Sequence, residues 1–174
     1  DRGLWLGFRR LAILDLSPAG HQPMSTSCGR DTIVFNGQVY NFEELRADLE
    51  RQGVSFRSHS DTEVLLELFA REGVACLAKL NGMYAFAVYD ALERTLVLVR
   101  DRLGVKPLFY WRDGRSLAFA SELRALLTHP RIAKHLDPVA LRRYLLHGYY
   151  PAPLPPVAGA ARELFRAAGY GDDD

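Results

Sequence analysis

Apolar positions change their spacing along the chain, and each spacing predicts a different element. Residues 11–16 form a short apolar run that Ser17-Pro18-Ala19-Gly20 stops, and a polar loop follows as far as Arg30. Residues 32–35 are β-rich and meet Asn36-Gly37, a turn signal. The period then becomes helical. Asn41 with Glu44 three residues on has the pattern of a capping box, and Phe42, Leu45 and Leu49 share one face. Gly53 suits the residue just past the helix end. Residues 54–56 read as extended. Ser60 with Glu63 repeats the capping pattern, and Val64, Leu65, Leu68 and Phe69 supply the next buried face. Gly73 closes that helix and residues 74–80 add a short one.

After Asn81-Gly82 the pattern is apolar on both faces, over residues 83–89 and again over 96–99. Strands of that kind lie in a sheet covered on both sides. Residues 90–94 make the hairpin between them. Two further strands, 107–111 and 116–120, flank Asp113-Gly114, a strong hairpin turn. Ser121 and Glu122 open a short helix through Leu127, and Asp137-Pro138 opens another with proline at its first position. From Tyr149 the character shifts. Pro151, Pro153, Pro155 and Pro156 make a stiff stretch, and residues 169–174 read as a frayed end. The pattern predicts an α+β chain of stacked sheets with helices outside.

Composition narrows the function. The 174 residues are 48% hydrophobic and 25% charged with a net charge of +1. That supports a packed core and offers no basic stripe for nucleic acid. No stretch has the length and apolarity of a membrane span. The two cysteines, Cys28 and Cys76, have no CxxC or histidine at metal spacing, which fits a reducing cytoplasm. Cys28 reads as a loop residue and Cys76 as a small core residue. The five histidines follow no metal or triad spacing, and no glycine-rich phosphate loop is present.

The candidate chemistry is glutamine binding. An α-carboxylate calls for a guanidinium, an α-ammonium for a carboxylate, and an attacked amide for two oxyanion donors. Arg10, Asp61, and the pair Asn36 and Gly37 are one candidate for each. Taken singly, each has an ordinary reading: a surface arginine, a first-turn acid matched to the helix dipole, and a turn.

The ordered motifs carry a resemblance. Leu6-Gly7-Phe8-Arg9-Arg10-Leu11-Ala12-Ile13-Leu14-Asp15-Leu16-Ser17-Pro18-Ala19-Gly20-His21-Gln22-Pro23-Met24 is similar to the glutaminase domain of glutamine-hydrolysing asparagine synthetases. So are Phe35-Asn36-Gly37-Gln38-Val39-Tyr40-Asn41 and Ser60-Asp61-Thr62-Glu63. Leu80-Asn81-Gly82-Met83-Tyr84-Ala85-Phe86-Ala87 and Arg100-Asp101-Arg102-Leu103-Gly104-Val105-Lys106-Pro107-Leu108 follow in the same order. Ala120-Ser121-Glu122 and Gly148-Tyr149-Tyr150-Pro151-Ala152-Pro153 complete the series.

The resemblance implies an N-terminal-nucleophile hydrolase-like, four-layer α/β/β/α sandwich of stacked antiparallel sheets, incomplete at the N-terminus. It implies a class II glutamine amidotransferase. Residues 1–150 would be a partial amidotransferase domain and 151–174 a Pro-rich divergent tail, with the synthetase domain absent. Glutamine would be hydrolysed to glutamate and ammonia, and the ammonia used for ATP-dependent amidation of aspartate to asparagine. Arg10 would hold the α-carboxylate of L-glutamine and Asp61 its ammonium. Asn36 and Gly37 would form the oxyanion hole, Ile13 would add a backbone contact, and Gln38 would line the pocket.

This chain would need no cofactor or metal of its own. ATP and Mg²⁺ would act in the synthetase domain of the same polypeptide, in the cytoplasm, and a homodimer is compatible with the pattern. Two departures matter. The nucleophilic Cys that opens the family's mature chain has no counterpart here, so these 174 residues are expected to be inactive alone. Gln38 stands where Glu is commoner, which removes a charge and keeps an acceptor. Two alternatives stay open: the architectural domain of a non-glutaminase relative of the β-lactam synthetase kind, and a non-functional gene fragment.

Overall fold

The computed structural model describes residues 3–9, 14–149, 160–162 and 168–170, the last two stretches as backbone only. Two units are distinct. One comprises Asp1–Val99 with Ala167–Asp174, the other Arg100–Arg166.

The first unit is built on β2 (Asp31–Val39) and β3 (Gly82–Asp90), which pair antiparallel along their full length, Asp31 opposite Asp90 and Val39 opposite Gly82. β1 (Met24–Ser25) pairs with the start of β2, and β4 (Thr95–Arg100) lies on the far side of β3. Two helices, α1 (Phe42–Arg51) and α2 (Asp61–Glu72), cover one face. Leu45 and Leu49 of α1 and Val64, Leu65, Leu68 and Phe69 of α2 form a single buried cluster with Ile33, Phe35, Val39, Tyr84, Phe86 and Val88. Burying each such side chain contributes about 1.5–3 kcal/mol. The Phe86 ring anchors the cluster, edge-on to Phe69 at 6.2 Å between centroids and 5.8 Å from Tyr84. The helix faces read from spacing are therefore the faces that pack.

Four local expectations are corrected. First, β2 does not end at Asn36-Gly37; it runs through both to Val39. The long-range ladder with β3 overrides the turn dipeptide. A Cβ on Gly37 would stand 2.2 Å from Met83 O, and one on Gly82 2.2 Å from Gln38 O, so the close approach of the strands selects glycine on each. Second, Asn41 precedes α1 without capping it through its side chain. Its carboxamide instead donates to Lys79 O (2.9 Å) and accepts from Asn81 N–H (3.0 Å). Third, residues 14–16 carry no strand; the rest of the predicted first strand, residues 11–13, lies outside the described residues. Fourth, Gly169 and Tyr170 are not frayed. They belong to β8 (Ala168–Tyr170), which pairs antiparallel with β4.

Gly53 and Gly73 close α1 and α2 with positive φ, as expected. The short helix after Gly73 is a 3-10 turn, Gly73–Lys79, with Cys76 buried inside it.

In the second unit, β5 (Phe109–Arg112) pairs with β6 (Leu117–Ala120) across the Asp113-Gly114 turn and with β7 (Ala160–Arg162) on its other side. Asp113 Oδ1 ties the turn by accepting from the Arg115 and Ser116 amides. α3 (Leu123–Leu126) is a single turn. α4 (Pro138–His147) starts as read: Asp137 Oδ1 accepts from the Val139 and Ala140 amides, and Pro138 opens the helix. The Arg100–Lys106 connection closes on itself. Asp101 accepts from the Val105 and Lys106 amides (both 2.9 Å), and the buried Arg100 guanidinium donates to Lys106 O (2.6 Å) and Gly104 O. Antiparallel sheets and helices make the α+β class expected.

Candidate functional site

The site grows from one edge of β2. Tyr40 N–H donates to Asn81 O (2.7 Å), in line with the β2–β3 register. Even-numbered residues of β2 therefore bond to β3, and the amides of Phe35, Gly37 and Val39 point the other way. β1 covers that edge only as far as Ile33. Beyond it, side chains replace the missing strand. Phe35 N–H donates to Gln22 Oε1 at 2.6 Å, and Val39 N–H donates to Asp61 Oδ2 at 3.0 Å. Between these two, no side-chain or loop acceptor among the described residues meets the Gly37 amide.

Asp61 is at this edge because α2 begins there. Ser60 caps the helix by accepting from Thr62 N–H (3.1 Å), which fixes Asp61 as its first residue. Asp61 as a whole is 5% exposed, which buries its carboxyl. Burial pushes it above the usual carboxylate range, against the pull of hydrogen bonds from the amides of Val39, Thr62 and Asp61 itself and from Ser60. A buried carboxylate of that kind is suited to a cationic partner.

The next two residues of α2 reach elsewhere. Thr62 Oγ1 accepts from Gln22 Nε2 (3.2 Å). Glu63 accepts from the amides of Arg57 and Ser58 and from the Ser58 hydroxyl (2.5 Å), so it braces the preceding loop and does not return to Ser60 as a capping box would. Burial pushes the Glu63 carboxyl up, but the bonds from Ser58 and Arg57 outweigh it and hold it below its usual range. Asp15 joins a third segment, accepting from the Ser17 and His59 amides.

The sequence-predicted residues are thus distributed as follows. Asn36, Gly37 and Gln38 share β2, and Asp61 bonds the same strand one residue past Gln38. Alternation turns Asn36 and Gln38 away from the helix-side core, while Gly37 offers its amide at the edge. Arg10 and Ile13 lie outside the described residues, as does the boundary expected between residues 150 and 151. Sequence reasoning missed Gln22. Its available signal was position: a carboxamide beside Pro23, which has no N–H for a strand ladder, just before a strand that stops early. Among the described residues no group of three or more His, Cys, Asp and Glu could hold a metal ion, and no helix is long and apolar enough to cross a membrane.

Residues 1–168 match the family model described as a glutamine amidotransferase domain. The chain is 42% identical over 149 residues to glutamine-hydrolyzing asparagine synthetase 3 of Bacillus subtilis, covering 81% of this chain and 24% of that protein. It is 38% identical over 164 residues to putative glutamine-hydrolyzing asparagine synthetase 2 of Methanocaldococcus jannaschii, covering 85% and 31%. The chain therefore spans a quarter to a third of the length of these relatives.

Among solved structures, glutamine phosphoribosylpyrophosphate amidotransferase of B. subtilis, complexed with ADP and GMP, superposes with a TM-score of 0.52. It shows 33% identity over 60% of this chain and 25% of that one. A structure described as the allosteric regulatory enzyme of purine biosynthesis gives 0.55 and 30% over 67% and 28%.

Proposed function

We infer the function from one premise: the chain belongs to the glutamine amidotransferase domain family. It is the glutamine-binding domain of an asparagine synthetase. Glutamine and water yield glutamate and ammonia, and the ammonia amidates aspartate in a synthetase portion of the same polypeptide, which uses ATP and Mg²⁺ in the cytoplasm. The observation that carries this reading is the β2 edge, where the buried Asp61 carboxylate of α2 accepts from the Val39 amide two residues past Gly37, whose own amide meets no side-chain or loop acceptor among the described residues.

Each group then has a task. The Asp61 carboxylate receives the α-ammonium and Arg10 the α-carboxylate, as a planar fork. Ile13 contributes a backbone contact, and Gln38 lines the pocket with a neutral acceptor. Attack on the side-chain amide puts negative charge on its oxygen, which the Gly37 N–H and the Asn36 carboxamide receive. The attacking thiol is neither Cys28 nor Cys76. Calorimetric titration with L-glutamine tests the assignment: Arg10→Ala and Asp61→Ala are each expected to abolish the binding heat. Unchanged binding in both variants would overturn the pocket.

A further inference from the structure

We propose that Gln22 is a positioning residue for this pocket: its carboxamide, bonded to β2 at one end and to α2 at the other, sets the Gly37 amide relative to Asp61. The inference rests on the glutamine pocket just described.

The strand and the helix are 22 residues apart in sequence and share no turn, so something must hold them in register where the ligand binds. Two bridges do so. Asp61 Oδ2 accepts from Val39 N–H, two residues after Gly37, and Gln22 Oε1 accepts from Phe35 N–H, two residues before it. Gln22 lies just before β1, whose pairing with β2 goes no further than Met24 opposite Ile33, and its side-chain carbonyl takes the next outward-pointing amide of β2, that of Phe35. Its Nε2 then continues to Thr62 Oγ1, the residue next to Asp61. At 5% exposure it has little competition from water for either bond.

The two bridges differ in consequence. Asp61 is the group that must receive the ligand's charge, and a ligand ammonium competes with the Val39 amide for its oxygens. Gln22 is neutral and receives no ligand. It keeps the strand–helix spacing while Asp61 changes partner. Sub-ångström placement of this kind is what oriented binding depends on.

The experiment is L-glutamine titration of the 174-residue chain by calorimetry, with thermal unfolding measured in parallel. Gln22→Met, which matches length and removes both bonds, is expected to raise Kd at least about tenfold while the chain still unfolds cooperatively. Thr62→Val, which cuts only the helix-side bond, should raise Kd similarly, and Thr62→Ser should restore it. The double variant should be no weaker than Gln22→Met, because both changes break one chain of bonds.

A Gln22→Met chain with lowered Tm and wild-type Kd would overturn the proposal, leaving Gln22 a structural residue only. Should Gln22→Met not fold, the Thr62→Val and Thr62→Ser pair decides, with equal Kd in the two overturning it. Absence of glutamine binding by the unmutated chain is a different result: it removes the pocket assignment itself, and this inference with it.

Discussion

Asp61 is 5% exposed, and that burial holds its carboxyl above the ordinary carboxylate range. The sign of the consequence follows from linkage. The folded chain favours the protonated form more than the unfolded chain does. The contribution to stability is therefore fully present below the unfolded value of about 3.9, and it is lost as pH rises through the folded value. At neutral pH the ionised Asp61 costs stability that a bound ammonium would offset. Asp61→Asn keeps an acceptor for the Val39 amide and removes the charge. It is expected to raise Tm at pH 7 by about 2–4 °C, which a gain of about 1 kcal/mol gives a chain of this size. The gain should vanish near pH 3.5, and glutamine binding should be lost. Scanning calorimetry at the two pH values checks this; a lower Tm at pH 7 would mean that the charge stabilises the fold unliganded.

The first turn of α2 joins three segments through three consecutive side chains: Asp61 to β2, Thr62 to Gln22, and Glu63 to residues 57 and 58. Glu63 is the stabilising member. Its carboxyl is held down, so its contribution is present above the unfolded value of about 4.3 and is lost as pH falls through the folded value. Glu63→Gln replaces an acceptor-only group by one whose NH₂ faces the Arg57 and Ser58 donors. It should cost about 1–3 kcal/mol at pH 7, with the gap to wild type narrowing by pH 3.5. Urea midpoints at both pH values read this directly, and a constant gap would remove Glu63's charge as the cause. These elements also show what was legible beforehand. The faces of α1 and α2, their closing glycines and the Asp113 turn all depend on neighbours in sequence, and spacing identified them. The continuation of β2 through Asn36-Gly37, the diversion of Asn41 to Lys79 and Asn81, and the Gln22 bridge depend on residues 13 to 49 positions away. Short-range patterns carry no information about those partners, and the signal that was present, an Asn-Gly pair, pointed to the more frequent local outcome.

At the scale of the whole molecule, neither cysteine lies on the stretch of β2 that carries Gly37. Cys28 belongs to the β1–β2 connection at the Asp31 end of β2. Gly37 lies six residues along that strand, about 20 Å away at roughly 3.3 Å per residue. Cys76 is buried beyond the end of α2, its thiol pushed up to about 12 by burial, so it is neither accessible nor ionised at neutral pH. Cys28 is exposed, and a hydrogen bond with the Thr26 hydroxyl (3.5 Å) draws its thiol below the usual value. The thiolate is the reactive form. Iodoacetamide at pH 7.5 should therefore add one label to the folded chain, on Cys28, and a second only after unfolding in urea, as intact-mass spectrometry would count. Alkylated and unmodified chains should bind glutamine with the same Kd and release no glutamate from it. Two labels on the folded chain would contradict the burial of Cys76. Glutamate release that Cys28→Ser abolishes would contradict the separation of that thiol from Gly37, and with it the assignment of attack to a group other than these two cysteines.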